Sequence, residues 1–189
     1  MIFMPTVTRT IVKDYLLHND FGKAWGYFDF WIYGDFTEVK IHVRLHSCAR
    51  NCLGAPSDCT TYVSFTSEKL EQVYGSGYFV SLATYLDHEY CTIREGVWEV
   101  TSWIGGRNTV IITFDVPSWG LGGCGVVEIL ELIITYPEGS PEPRVDIQAK
   151  EYKTFEGAIK LLNEFIVKIF MPMMMLMIMV SLIRAVMKR

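Results

Sequence analysis

The segment Thr37-Glu38-Val39-Lys40-Ile41-His42-Val43-Arg44-Leu45-His46 decides the fold class. Val39, Ile41, Val43 and Leu45 recur at every second position, with Lys40, His42, Arg44 and His46 between them. Successive side chains of a strand point to opposite faces, so this period makes one apolar and one polar face. A helix would need apolar residues three and four apart.

The same alternation appears on both sides of this segment. From Trp25 to Tyr33, Phe28, Phe30 and Ile32 oppose Trp25, Tyr27, Trp31 and Tyr33, and Gly34-Asp35-Phe36 reads as a short hairpin loop into the next strand. Thr109–Val116 puts Val110, Ile112, Phe114 and Val116 on one face. Val126–Tyr136 is apolar on both faces and bounded by Gly125 and Pro137, as a buried central strand would be. Glu128 and Glu131 would face opposite ways in a regular strand, so that run calls for a bulge or a helical turn. Weaker strand signals cover Val7–Lys13, Thr60–Thr66, Gly77–Leu86, His88–Ile93 and Arg144–Lys150. Some eight strands with turn residues between them predict a mainly β fold, an antiparallel jelly-roll-like β-sandwich.

The phrase VWEVTSWIGGRNTVII, Val97 to Ile112, resembles the turn, Gly-x-Asn and strand segment of galactose-binding-like jelly rolls, with the later VVEILELIITY run in the place of a closing strand. The likeness covers about 40 residues. It implies the sandwich fold and carries over no sugar-binding residue.

Half of the 189 residues are hydrophobic and 20% are charged, which excludes a disordered chain. The charge is divided unevenly. Residues 149–189 hold seven basic and three acidic residues, and residues 1–148 hold ten basic and eighteen acidic. An acidic globular part argues against nucleic acid as a partner, because phosphate binding needs clustered Lys and Arg. A basic, apolar tail suits a lipid bilayer instead.

Phe165–Ile183 reads FIVKIFMPMMMLMIMVSLI, with Lys168 as its one charge and Arg184 just beyond it. As a helix it would rise roughly 28 Å, close to the roughly 30 Å of a hydrocarbon core. Lys168 and Arg184 would snorkel to the interfaces, Pro172 is tolerated inside a span, and the methionines around Met175 leave no polar face. The expected organisation is a β-sandwich over 1–148, a juxtamembrane linker and helix start over 149–160, and a transmembrane helix with a short basic tail over 161–189. The first ten residues have no charged lead and no apolar core of signal-peptide length, so translocation would rely on the C-terminal span or an unusual route.

Five cysteines, Cys48, Cys52, Cys59, Cys91 and Cys124, are disulfide candidates, three of them within SCARNCLGAPSDC. Disulfides point to an oxidising compartment or a hyperthermophile. A zinc site is disfavoured: His42 and His46 stand about 13 Å apart along a strand, too far to share a tetrahedral metal, which leaves His46 with Cys48, Cys52 and Cys59 if the loop folds back. The Gly-rich PSWGLGGCG, Pro117 to Gly125, lacks the Lys-Ser/Thr ending of a phosphate cradle and reads as an inter-strand loop with Trp119 at its tip. No catalytic motif appears, and no cofactor or metal is called for.

If Phe28, Phe30 and Ile32 fill the core, Trp25, Tyr27, Trp31 and Tyr33 line the outside of the sheet. With Trp119 they are the interface candidates, since Trp and Tyr are enriched at contact hot spots. The reading is a non-enzymatic structural protein anchored to a membrane by a single C-terminal pass. It would assemble with its own copies or other subunits, as a virion coat or spike protein or a cell-envelope component, with an archaeal membrane assembly among the settings. The alternatives are a membrane-tethered carbohydrate- or ligand-binding module and an accessory subunit of a membrane enzyme complex.

Overall fold

The computed structural model describes residues 4–21, 23–48, 59–87, 92–115 and 121–152. They form β1 (Thr6–Phe21), β2 (Lys23–Tyr33), β3 (Glu38–Cys48), β4 (Cys59–Ser67), α1 (Glu68–Tyr74), β5 (Val80–Asp87), β6 (Thr92–Glu99), β7 (Asn108–Asp115), β8 (Leu121–Thr135) and β9 (Arg144–Tyr152). A 3-10 turn at Thr101–Trp103 precedes β7. The fold is mainly β, in two antiparallel sheets. One has the order β1-β8-β3-β6 and the other β5-β4-β7-β2-β9.

The pairing is nested. β1 pairs with β8, β2 with β7, β3 with β6 and β4 with β5, while β9 adds to the free side of β2. This is the pattern of one long hairpin of four strand pairs rolled up so that alternate pairs fall in opposite sheets. Apolar faces from both sheets meet inside. Phe28 and Phe30 from β2, Phe65 from β4, Phe114 from β7, and Ile41 and Leu45 from β3 are all fully buried there. Each such burial contributes about 1.5–3 kcal/mol. Phe30, Phe65 and Trp103 form a ring chain with centroids 6.4 and 6.3 Å apart.

The structure corrects the sequence reading in three places. β2 and β3 do not form a hairpin: they lie in different sheets, and Gly34-Asp35-Phe36 carries the chain across the edge of the sandwich. Their apolar faces fill one core from opposite sides, which alternation alone does not reveal. The Gly-rich run is not a loop up to Gly125, because β8 begins at Leu121. Gly125 is buried under Phe114, where a Cβ would lie 2.3 Å from the ring. Finally, α1 occupies Glu68–Tyr74, where no helix was expected.

The doubt over Val126–Tyr136 resolves as a bulge. The register passes from Arg44 opposite Ile129 to Leu45 opposite Val127, which leaves Glu128 as the extra residue. Val127, Leu130, Leu132 and Ile134 therefore all reach the core, and Glu128 and Glu131 both turn outward.

The described residues all lie within one compact unit of the chain, Met1–Lys153. The expected membrane helix, with Phe165, Lys168, Pro172, Met175, Ile183 and Arg184, lies outside the described residues. Among the described residues, no helix is long and apolar enough to cross a membrane.

Candidate functional site

The outer face of the five-stranded sheet carries the aromatic positions of β2. Trp25, Tyr27 and Trp31 are half-buried and Tyr33 is 49% exposed. The Arg144 guanidinium lies 5.4 Å from the Tyr33 ring centroid and is paired with Asp146 at 2.7 Å. An acid interrupts the row. Asp29, only 6% exposed, accepts a 2.7 Å hydrogen bond from the hydroxyl of Thr109, its cross-strand partner in β7. A buried carboxylate on the outer face of a sheet needs such a donor and shielding from above.

That shielding comes from α1 and the loop after it. Ser67 caps α1, accepting from the Leu70 backbone N–H at 3.2 Å and donating to the Trp103 carbonyl at 2.6 Å. Leu70 is 4% exposed and plugs the helix into the core. Gly75 and Gly77 have φ of +105° and +79°, and they turn the chain back over the sheet. Thr66 pins the loop by donating to the Tyr78 carbonyl at 2.6 Å, and the Gly77 N–H donates to Glu71 Oε1 at 3.2 Å.

The turn before β7 supplies the remaining side. Asn108, 1% exposed, accepts from the Gly105 N–H at 3.0 Å and donates to the carbonyls of Gly106 and Phe30 at 3.0 and 3.3 Å. One side-chain amide thereby holds the Gly105–Arg107 turn against β2. The Glu68 N–H donates to the Arg107 carbonyl at 2.9 Å, and Arg107 Nη2 stands 4.0 Å from a Glu71 oxygen.

A concave pocket of about 550 Å³ results. Tyr27, Asp29 and Thr109 come from the sheet, Glu71 and Phe79 from α1 and its loop, and Arg107 from the turn. Val73, Tyr74, Tyr78 and Phe79 beside it are all exposed, with the Tyr74 and Tyr78 rings stacked at 4.5 Å. Of this set the sequence reading had singled out only Tyr27. A lone acid inside an aromatic strand, Phe28-Asp29-Phe30, is the signal that marks the rest.

No protein-family model matches the chain, and no curated protein matches it. A solved structure of infectious bursal disease virus, Gx strain, is similar with a TM-score of 0.39 and 11% identity, over 80% of this chain and 37% of that one. Likeness at that distance carries no function across.

The four-stranded sheet presents a charged outer face. His42 of β3 is held between two carboxylates, Glu95 of β6 at 2.8 Å from Nε2 and Glu131 of β8 at 3.2 Å from Nδ1. Arg44 and His46 both reach Glu128, at 2.7 and 3.3 Å. Burial opposes a charge on His42, but the hydrogen bonds and negative charge of Glu95 and Glu131 outweigh it and raise its pKa. Among the described residues, no group of three or more His, Cys, Asp or Glu is placed to hold a metal ion.

Cys59 is fully buried in the core. The β3–β8 register sets the backbone of Cys48 opposite that of Cys124. Cys52, Cys91 and Trp119 lie outside the described residues.

Proposed function

We propose that this protein is a non-enzymatic structural component, a jelly-roll domain that assembles with its own copies or with other subunits. The nested strand order supports the jelly-roll reading, since two interleaved Greek keys lay eight strands in that sequence. The observation that carries assembly is β6, which ends its sheet among the described residues. Ile93 and Val97 stand 49% and 52% exposed on its outer face, with only Glu95 between them. Sheets normally blunt an edge with charge, proline or a bulge, so apolar residues there suit a contact with another chain.

The apolar run Phe165–Ile183 and the basic residues around it support a bilayer anchor. Together these fit a coat or spike protein of a membrane-containing virion, or a cell-envelope component.

Light scattering of the full chain in mild detergent tests the reading. We expect a defined oligomer that Ile93→Lys with Val97→Lys reduces to monomer without lowering the melting temperature. A monomer at every concentration, with a wild-type elution profile for the double variant, would overturn it.

A further inference from the structure

We propose that the pocket between the five-stranded sheet and α1 binds a neutral saccharide. The inference goes beyond the assembly reading and does not depend on it. Its volume of about 550 Å³ falls inside the range of about 300–1,000 Å³ typical of small-molecule sites. What it would hold follows from the groups around it.

Tyr27 and Phe79 supply aromatic rings, which pack against the C–H face of a pyranose. Asp29 and Glu71 are acceptors for sugar hydroxyls, and Arg107 is a fixed-geometry donor. These groups are held in place by contacts within the protein. Thr109 orients the Asp29 carboxylate, the Gly77 N–H holds Glu71, and Asn108 fixes the turn that carries Arg107. A site organised before binding loses less entropy when a ligand arrives.

Charge selects among ligands. Among the described residues, two carboxylates face one guanidinium, so sialylated, sulfated or phosphorylated sugars would meet net repulsion. An ammonium ligand is disfavoured for a different reason. Asp29 is 6% exposed, and a cation reaching it would lose its hydration, whereas a sugar hydroxyl gives up only a neutral hydrogen bond to water. Neutral hydroxyl groups on a ring with an apolar face satisfy both constraints.

The test uses the full chain in mild detergent on an array of neutral, sialylated, sulfated and amine-bearing glycans. Titration with methyl hexopyranosides follows, read by saturation-transfer NMR. We expect neutral glycans alone to bind. Phe79→Ala and Arg107→Ala, both at exposed positions, should each weaken binding about tenfold or more with unchanged melting temperature. Phe79→Trp should retain it. No neutral glycan above background, selection of anionic or amine-bearing glycans, or equal affinity in wild type and both alanine variants would each overturn the proposal. Repeating the titration with the Ile93→Lys, Val97→Lys protein separates this result from assembly, because a saccharide site within one chain is unaffected by that change.

Discussion

Arg94 of β6 and Asp87 at the end of β5 tie the two sheets together along one side of the sandwich. Arg94 Nε and Nη2 donate to the same oxygen, Asp87 Oδ1, at 2.9 and 2.5 Å. Asp87 is 2% exposed, and its Oδ2 has no hydrogen-bond partner among the described residues. The guanidinium also lies 5.5 Å from the Tyr85 ring centroid. Among the described residues, the carboxylate thus depends on one cation, supplied by the opposite sheet.

Removing that cation should be costly. Arg94→Ala leaves a buried carboxylate without its donor, and we expect a loss of about 3 kcal/mol by urea denaturation. The lower end of the range for buried pairs applies because the arginine side chain is 36% exposed. Asp87→Leu combined with Arg94→Met should recover most of the loss. A double variant as unstable as Arg94→Ala would show that packing, not the stranded charge, sets the cost.

Gly125 tests the packing between sheets. Its Cβ position lies 2.3 Å from the ring of fully buried Phe114. Gly125→Ala should cost about 1–3 kcal/mol, and Phe114→Leu in that background should relieve part of it. Thermal melts of the two singles and the double measure the coupling, and strictly additive effects would count against a direct clash.

His42 makes stability depend on pH with a definite sign. Its folded pKa is raised, so the stabilisation it provides is complete below the unfolded value of about 6.5 and disappears as pH rises through the folded value. The stability difference between wild type and His42→Gln should therefore shrink as pH rises from about 6.5 through the raised folded value. Urea melts across that window read it directly, and a difference that stays constant would remove His42 as the source. Glu95→Gln should weaken the dependence, since it takes away the closer of the two carboxylates.

Asn108 should prove structural and functional together. Asn108→Ala strands the Gly105 N–H and the Phe30 carbonyl beside a buried side chain, at a cost of about 2–3 kcal/mol in chemical denaturation. Asn108→Asp keeps the acceptor for Gly105 but loses both donated bonds and buries a carboxylate against two carbonyl oxygens, so it should be at least as unstable as Ala near neutral pH. If Asp matches wild type, the donated bonds to Phe30 and Gly106 contribute nothing.

The strands were legible in the sequence because alternation is local. The period of two in Val39 to Leu45 and Phe28 to Ile32 gives the face of each residue wherever the strand ends up. The outward placement of Trp25, Tyr27, Trp31 and Tyr33 follows from the same period. α1 was not legible: EKLEQVY spans only seven residues, too short for a period of 3.6 to stand out. The pocket was hidden for a related reason. Its walls come from residues 27–29, 66–79 and 107–111, and no short-range pattern brings those together.

Composition and period determined that this chain builds amphipathic strands around an apolar core, because the side chain's preference for core or water acts residue by residue. Tertiary structure decided which strands share a sheet. Trp25–Tyr33 and Thr37–His46 look like hairpin partners in sequence, yet they enclose the core from opposite sides. Both arrangements bury the same local apolar faces. Only the pairing of β1 with β8 and β2 with β7, across most of the domain, selects the rolled form. The bulge at Glu128 has the same origin, since a shift of one residue is needed to keep Val127 and Leu130 on one core as the strand bends.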